Sequence, residues 1–471
     1  MTNRKKNAYL IGIKGVAMTA LAVYLKEKGW QVTGSDVSEV FYTDRILTAN
    51  KIKILEGFKA DNLNKNISLV VATGAHGGAN NIESLEAQKL KLPFFMHGKY
   101  LGFIMDSKFG IAVAGCHGKT TTSSMIALML TKAGLNPSYA TGTAYINLLG
   151  PAGHFARSKY FIAEADEYMT CPQTDRTPRF HFLHPQIAVI TNIEYDHPDE
   201  FKDLSAVKNA YIDFSAKLKE NGLLIVCIDD PGIASILRKF KSKRIITYGF
   251  SPRADYRVEK FYTSQTHSFM NIVNKNLMIG QFMLKVPGRH NLLNALSAMI
   301  VCREVGMSWE GIKNELVKYT GVNRRFELIK EFNHTFLYDD YAHHPSEIKA
   351  TLQAIKERFP GSQIVVIFQP HTYSRTKRLA SEFASSFLNA DLVFLADIFP
   401  SAREKFDPGI SSKTLVAAIN GIKNNAFYTP VVTSAIKIMK NKLSDNSVIF
   451  TLGAGNLYLW HRKLINFLKE I

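Results

Sequence analysis

The chain has 471 residues, 46% of them hydrophobic and 21% charged, an ordinary globular composition spread over too many residues for a single core, so two or three domains are expected. No apolar run approaches the length of a membrane span, and the opening Met-Thr-Asn-Arg-Lys-Lys leads into a strand rather than a signal peptide's apolar region, so a cytoplasmic protein without membrane insertion is expected. The formal net charge of +18 has two readings, a surface that tracks nucleic acid or one that steers small polyanions such as nucleotides. The lysines are dispersed, and the densest group, Arg238 to Arg244, has no nucleic-acid-reading motif beside it and is most simply a solvated face; this favours the second reading.

In chain order, Ala8-Tyr-Leu-Ile11 reads as a strand, Gly12-Ile-Lys-Gly15 as a turn, and Ala17 to about Lys28 as a helix. Val32 to Asp36 is a second strand ending in an acid. This is the pattern of a nucleotide-binding βαβ unit, in which Asp36 could hold a ribose hydroxyl, although the third glycine of the dinucleotide fingerprint is missing and turn geometry alone also calls for glycine. A strand at Ser68 to Thr73, a Gly-rich loop from Gly74 to Asn81, a helix from Ile82 and a short strand at Phe94-Phe95 complete an α/β domain over residues 1–108.

The next segment, 109–320, opens with the apolar Gly110-Ile-Ala-Val-Ala-Gly115, then Cys116-His117-Gly118-Lys119-Thr120-Thr121, then a helix. Glycines let successive backbone N–H groups point at one spot, and the helix start adds a partial positive charge, so the spot suits a phosphate chain. Lys119 would reach the β/γ-phosphates, and the Thr120 hydroxyl is the usual Mg²⁺ ligand of such a loop. Strict spacing would place a further glycine at Val113. Two later strands deliver polar groups at their carboxyl ends, Tyr160 to Glu164 followed by Ala-Asp-Glu167, and Ile187 to Ile193 followed by Asp196-His197. Glu164 and His197 suit a divalent ion that already bridges a triphosphate, the alternative being ordinary exposed strand ends. Alternating strands run from Tyr256 to Lys285. In the helix that starts near Arg289, Asn291 and Asn294 lie on one face, placed to hydrogen-bond a flat heterocycle; capping is the competing role for Asn291. The four cysteines, Cys116, Cys171, Cys227 and Cys302, lack the paired spacing of a zinc site or disulfide framework.

The last segment, 321–471, again alternates strands (Thr335 to Tyr338, Gln363 to Phe368, Leu392 to Ala396, Val448 to Leu452) with helices. Arg324-Arg325-Phe326, Asp339-Asp-Tyr-Ala-His-His-Pro345 and Phe368-Gln-Pro-His-Thr-Tyr-Ser-Arg375 all fall at strand ends. A core has little use for paired Arg, Asp and His, so the three stretches together point to a polar cleft.

Taken together, these motifs resemble the Mur ligase family, the ATP-dependent amide-forming enzymes of peptidoglycan precursor assembly, over the whole chain. The likeness is carried by Gly12-Ile-Lys-Gly15-Val-Ala-Met18, Gly34-Ser-Asp36, Ala114-Gly-Cys-His-Gly-Lys-Thr120, Glu164-Ala-Asp-Glu167, Thr191 to His197, His290-Asn-Leu-Leu-Asn294, Gly321 to Phe326, Asp339 to Pro345 and Phe368 to Arg375. The resemblance implies an α/β protein of three domains: Rossmann-like for the UDP-sugar, P-loop ATPase-type for ATP, and Rossmann-like for the amino acid. Within the family, the motifs are most similar to those of members that join L-alanine to the lactyl carboxylate of UDP-N-acetylmuramate through an acyl phosphate, with ATP and Mg²⁺.

By the resemblance, Gly115, His117, Gly118, Lys119, Thr120 and Thr121 would hold the phosphates, and Thr120, Glu164 and His197 the metal. Asn291, Asn294, Arg325, Asp340 and Tyr341 would contact ATP. Gly12, Gly15, Met18, Ser35 and Asp36 would line the UDP-sugar site, and His343, His371 and Arg375 would face the muramyl carboxylate and alanine. Lys119, His197, His343 and Arg375 are the catalytic candidates, His343 as the base for the amine. A monomer or homodimer is expected, closing at hinges near Lys108 and Thr320. Three features depart from the family pattern: Cys116 stands for the usual Thr, Ala17 for the usual Gly, and the stretch Met169 to Leu183 is longer than usual. That last feature is similar to family members that attach a recycled tripeptide to the same sugar nucleotide. The rival from another class is a basic P-loop ATPase driven by nucleic acid.

Overall fold

A computed structural model of the chain describes residues 6–196, 200–400, 404 and 406–470. Strands Asn7–Ile11, Gln31–Asp36, Lys53–Glu56, Leu69–Ala72 and Phe94–Met96 form a parallel sheet in which Asn7–Ile11 lies between Gln31–Asp36 and Leu69–Ala72. The strand order therefore reverses beside Asn7–Ile11. The crevice beyond the carboxyl ends at that reversal is where such sheets take ligands, and it is bounded by the turn at Gly12 and the loop at Gly74.

The second sheet has ten strands. At its centre Phe109–Ala114 pairs in parallel with Ile187–Ile190 on one side and Tyr160–Glu164 on the other. These strands read as continuous apolar runs because helices cover both faces, and the polar residues gather where the strands stop. The third sheet, Glu327–Phe332 to Ser447–Leu452, is parallel except for its antiparallel edge strand Glu327–Phe332.

The apolar cores divide differently from the sheets. One continuous cluster runs from Ala8 in the first sheet through Leu128 and Ile225 to Val322, whereas the last sheet has two clusters of its own. Helix Val16–Glu27 packs on strands Ser138–Ile146 and Gly150–His154, so closely that a side chain at Gly153 would collide with the Ala20 carbonyl. Lys108 donates to the Ala156 and Ser158 carbonyls. The hinge expected near Lys108 is thus stitched into a shared core.

The long stretch after the acidic strand forms a small hairpin, Met169–Cys171 with Asp175–Pro178, followed by a turn of 3-10 helix, Arg179–Phe182. It lies against the first domain. A side chain at Gly74 would strike the Thr170 carbonyl, one at Gly78 would press on Cys171, and one at Gly102 would strike the Phe182 carbonyl. Lys99 pairs with Asp175 at 2.9 Å. Neither this hairpin nor helix His97–Asp106 is foreseen from periodicity, since the hairpin is polar and the helix begins directly at the end of a strand.

Candidate active site

The phosphate loop leaves strand Phe109–Ala114 and enters helix Lys119–Lys132 through Gly115 and Gly118, at φ +131° and +82°. Both glycines are required twice over, because added side chains would also meet Thr191 and Asn294. Asn192 braces the loop, accepting from His117 N at 2.8 Å and donating to its carbonyl at 2.9 Å.

Lys119 curls back over the loop. Its Nζ donates to the Gly115 carbonyl at 2.6 Å and to Glu167 Oε2 at 2.9 Å. Burial opposes its charge, but Glu167, Asp166 and Glu164 outweigh that and hold the ammonium firmly protonated. Thr120 Oγ1 donates to Glu164 Oε2 at 2.9 Å, the same oxygen that accepts from Gly142 N at 2.7 Å. Burial and neighbouring Asp166 push the Glu164 carboxyl up to about 7. A hydroxyl and a carboxylate in contact, in a field that disfavours the free anion, form a hard oxygen donor pair that a divalent cation fits. His197, the third expected ligand, lies outside the described residues.

The C-terminal domain meets this loop across a cleft of about 200 Å³ lined by His117, Gly118, Thr121, Asn291, Asn294, Arg325, Phe326, Asp340 and Glu347 among others. Asn291 is no cap: its Nδ2 donates to the Pro287 carbonyl at 2.7 Å and its Oδ1 accepts from Asn294 at 3.2 Å, a buried amide pair on one helix face. Asp340 accepts from Phe326 N and Ala342 N, both at 2.8 Å, and burial lifts its carboxyl to about 6 against the pull of Arg325. Tyr341 lies under both Arg324 and Arg325, 5.1 Å from each guanidinium carbon to ring centroid.

Glu347 is the hub of the seam. It lies 3.2 Å from His117 Nδ1, 3.3 Å from Arg325 Nη1 and 3.2 Å from His343 Nδ1. Burial would raise its carboxyl, yet the charged His117, with Arg325, holds it well below the carboxylate range. His117 is also 3.5 Å from Glu194, and although burial opposes its charge the two carboxylates lift it to about 10, so it is an imidazolium. His343 is the opposite case. Burial drives it down to about 4, and Nδ1 faces the Tyr341 carbonyl at 2.9 Å, which leaves Nε2 as the basic nitrogen of a neutral ring.

Arg375 is almost fully buried, pairing with Asp196 at 3.0 Å and donating to the His371 carbonyl at 2.8 Å. The His371 ring centroid is 6.1 Å from that of His343. Lys119, Thr120 and Glu164 thus form one group at the phosphate loop, and His343, His371 and Arg375 form another in the C-terminal domain. In the first domain, Gly12 (φ +77°) donates to the Ser35 carbonyl and Asp36 Oδ2 accepts from Lys14 N, so the acid shapes the turn. Met18 is in the core, and the Ser35 hydroxyl is bonded to buried Glu83, which leaves these two no exposed side chain to offer.

Sequence reading passed over Glu194, Asp196 and Glu347 as functional acids. Glu347 had a local signal: it stands three residues after His344 at a helix start, where the two form a capping box. Glu194 and Asp196 had none, because their partners are distant in sequence: His117 and Ser346 for Glu194, and Arg375 for Asp196.

Three family models match in chain order: the Mur ligase catalytic domain over 7–109, the Mur ligase middle domain over 113–302, and the Mur ligase glutamate ligase domain over 324–455. The chain is also 38% identical over 460 residues to a UDP-N-acetylmuramate--L-alanine ligase of Desulfitobacterium hafniense, with 97% of this chain and 99% of that protein covered. The chain belongs to the Mur ligase family. Among solved structures, this Mur ligase is similar to a UDP-N-acetylmuramate-alanine ligase, MurC, of Thermotoga maritima, with a TM-score of 0.82, 25% identity, and 98% of this chain and 99% of that one covered. It shares its fold with a murein peptide ligase of Psychrobacter arcticus at a TM-score of 0.73, 23% identity, and 99% coverage of both chains. Among the described residues of this Mur ligase, no helix is long and apolar enough to cross a membrane.

Proposed function

We infer that this Mur ligase joins L-alanine to the lactyl carboxylate of UDP-N-acetylmuramate, cleaving ATP to ADP and phosphate in peptidoglycan precursor synthesis. The observation that carries the reading is the seam at Glu347, which puts groups of the C-terminal domain directly against the phosphate loop. Full-length similarity to alanine ligases supports the choice of substrates.

A carboxylate resists amines because its carbon is electron-rich and its leaving group would be oxide. Phosphorylation by ATP removes both obstacles, and positioning with electrostatic stabilisation supplies most of the catalysis. Lys119 neutralises charge on the transferring phosphoryl group. Thr120 and Glu164 would hold Mg²⁺, which when bound neutralises phosphate charge. The amide pair of Asn291 and Asn294, with Arg325, Asp340 and Tyr341, receives the nucleotide. His343 accepts a proton from the alanine amine as it attacks the acyl phosphate, and closure of the C-terminal domain keeps water from that intermediate.

The test is phosphate release by the purified protein with ATP, Mg²⁺ and UDP-N-acetylmuramate, with L-alanine, recycled tripeptide or polynucleotide in separate arms. Release with L-alanine alone is expected. Release only with the tripeptide would transfer the protein to the peptide-attaching branch, and release stimulated by polynucleotide would overturn the reading.

A further inference from the structure

The hairpin after the acidic strand, unabsorbed by the reaction above, carries Arg179 to a particular place. Its backbone N donates to the Tyr168 carbonyl at 2.9 Å, so the residue is anchored beside the strand that delivers Glu164 and Glu167. Its side chain lies across the seam in the first domain. Nη2 stands 3.2 Å from where a side chain on Gly74 would begin, and the Arg179 Cβ stands 3.1 Å from the same point on Gly98. Gly74 opens the loop after Leu69–Ala72, and Leu69–Ala72 and Asn7–Ile11 are the two strands between which the sheet order reverses. The guanidinium thus sits at the mouth of the crevice where this sheet takes ligands.

Two further features face that crevice. Helix Val16–Glu27 starts there, and its N-cap Gly15 provides no side-chain cap for the first-turn N–H groups. His97, 93% buried by its 7% exposure, has no hydrogen-bond partner of ordinary geometry on either ring nitrogen among the described residues. The Ala17 backbone is close enough to favour its charge slightly, yet burial and then Arg179 push it down to about 3, so it is a neutral ring with one N–H to give. A buried donor left unsatisfied is costly, and a bound acceptor would relieve it.

We propose that Arg179 binds the diphosphate of the sugar nucleotide over the start of helix Val16–Glu27, with His97 donating a hydrogen bond to the same group. This rests on the functional reading above and adds a substrate contact to it. The insertion then has two effects, docking the first domain and completing its ligand site with a charge from the middle domain. Such a contact ties the sugar nucleotide to the acidic strand that orders Lys119.

Calorimetric binding of UDP, UDP-N-acetylmuramate and ATP to the full-length protein tests this, using Arg179→Ala, Arg179→Lys and His97→Ala with thermal melts of each. Arg179→Ala is expected to weaken UDP and UDP-N-acetylmuramate alike by roughly 10- to 100-fold, the span of a charge-assisted hydrogen-bonded pair. Arg179→Lys should recover part of the loss, His97→Ala should weaken both ligands less, and ATP affinity should not change. Unchanged UDP affinity in Arg179→Ala would overturn the proposal, as would weakening confined to UDP-N-acetylmuramate, which would place the charge on the sugar's acid. Equal loss in Ala and Lys variants that also melt early would reduce Arg179 to a docking residue. If the wild-type protein binds neither uridine ligand, the functional reading itself falls and this proposal with it.

Discussion

Nη2 of Arg375 lies 3.0 Å from Oδ1 of Asp196, and this ion pair, almost free of solvent, joins the C-terminal domain to the middle one. Removing one partner of a buried pair leaves the other charge uncompensated, at a cost of about 3–5 kcal/mol. Since the pair spans two domains, the cost falls on the closed arrangement more than on either fold. Arg375→Ala is expected to lower kcat/KM by at least about 100-fold, converting that cost at 1.4 kcal/mol per tenfold, while shifting the melting of the first two domains little. Loss of the whole melting transition would make the pair a folding element instead.

Lys119 is held by Glu167 before any phosphate arrives, so its position is prepared. Lys119→Met should cut product formation by roughly a thousandfold or more, in line with loss of a prepared electrostatic stabiliser. Glu167→Gln should act in the same direction but less, by freeing the ammonium. Single-turnover phosphate release measures both, and a fully active Lys119→Met protein would remove the lysine from the mechanism.

His117 has its folded-state pKa raised to about 10 from an ordinary 6.5. A raised value means that the ion pairs with Glu347 and Glu194 stabilise fully below pH 6.5 and that this contribution fades as pH climbs toward 10. The melting-temperature gap between wild type and His117→Gln should therefore be wide at pH 6 and narrow at pH 9.5. A gap that widens with pH would contradict the imidazolium.

His343, lowered to about 4, is neutral throughout the physiological range and needs no deprotonation before it can accept a proton. So low a value also makes it a weak base, which points to the lower end of the 10²- to 10⁴-fold usual for such catalysis. His343→Ala should slow amide formation by about 100-fold and leave ATP affinity within a few-fold. Titration calorimetry with product assay separates the two, and parallel losses would assign the residue to nucleotide binding.

The shared core of the first two domains and the separate cores of the third imply one moving joint. Small-angle scattering should show compaction when ATP and the sugar nucleotide are added, fitted by rotation of the C-terminal domain alone about residues near Thr320. Scattering that requires the first domain to move against the middle one would contradict the packing of helix Val16–Glu27.

By itself the amino-acid order determined the fold class, the phosphate loop and most candidate site residues, because glycines at a strand end, apolar runs and paired polar residues announce themselves within a few positions. It also marked Met169 to Leu183 as unusual without saying why. Only the tertiary structure decided which charges meet. Glu347 with His117, Asp196 with Arg375, and Arg179 with the Gly74 loop are contacts across domain seams. In each case the pairing itself leaves no local mark, and the ionisation of the charged partners follows from burial and from neighbours far away in the chain. The same reason explains the hinge: residues near Lys108 read as a linker in sequence, and packing of an N-terminal helix on a distant sheet makes them part of a core.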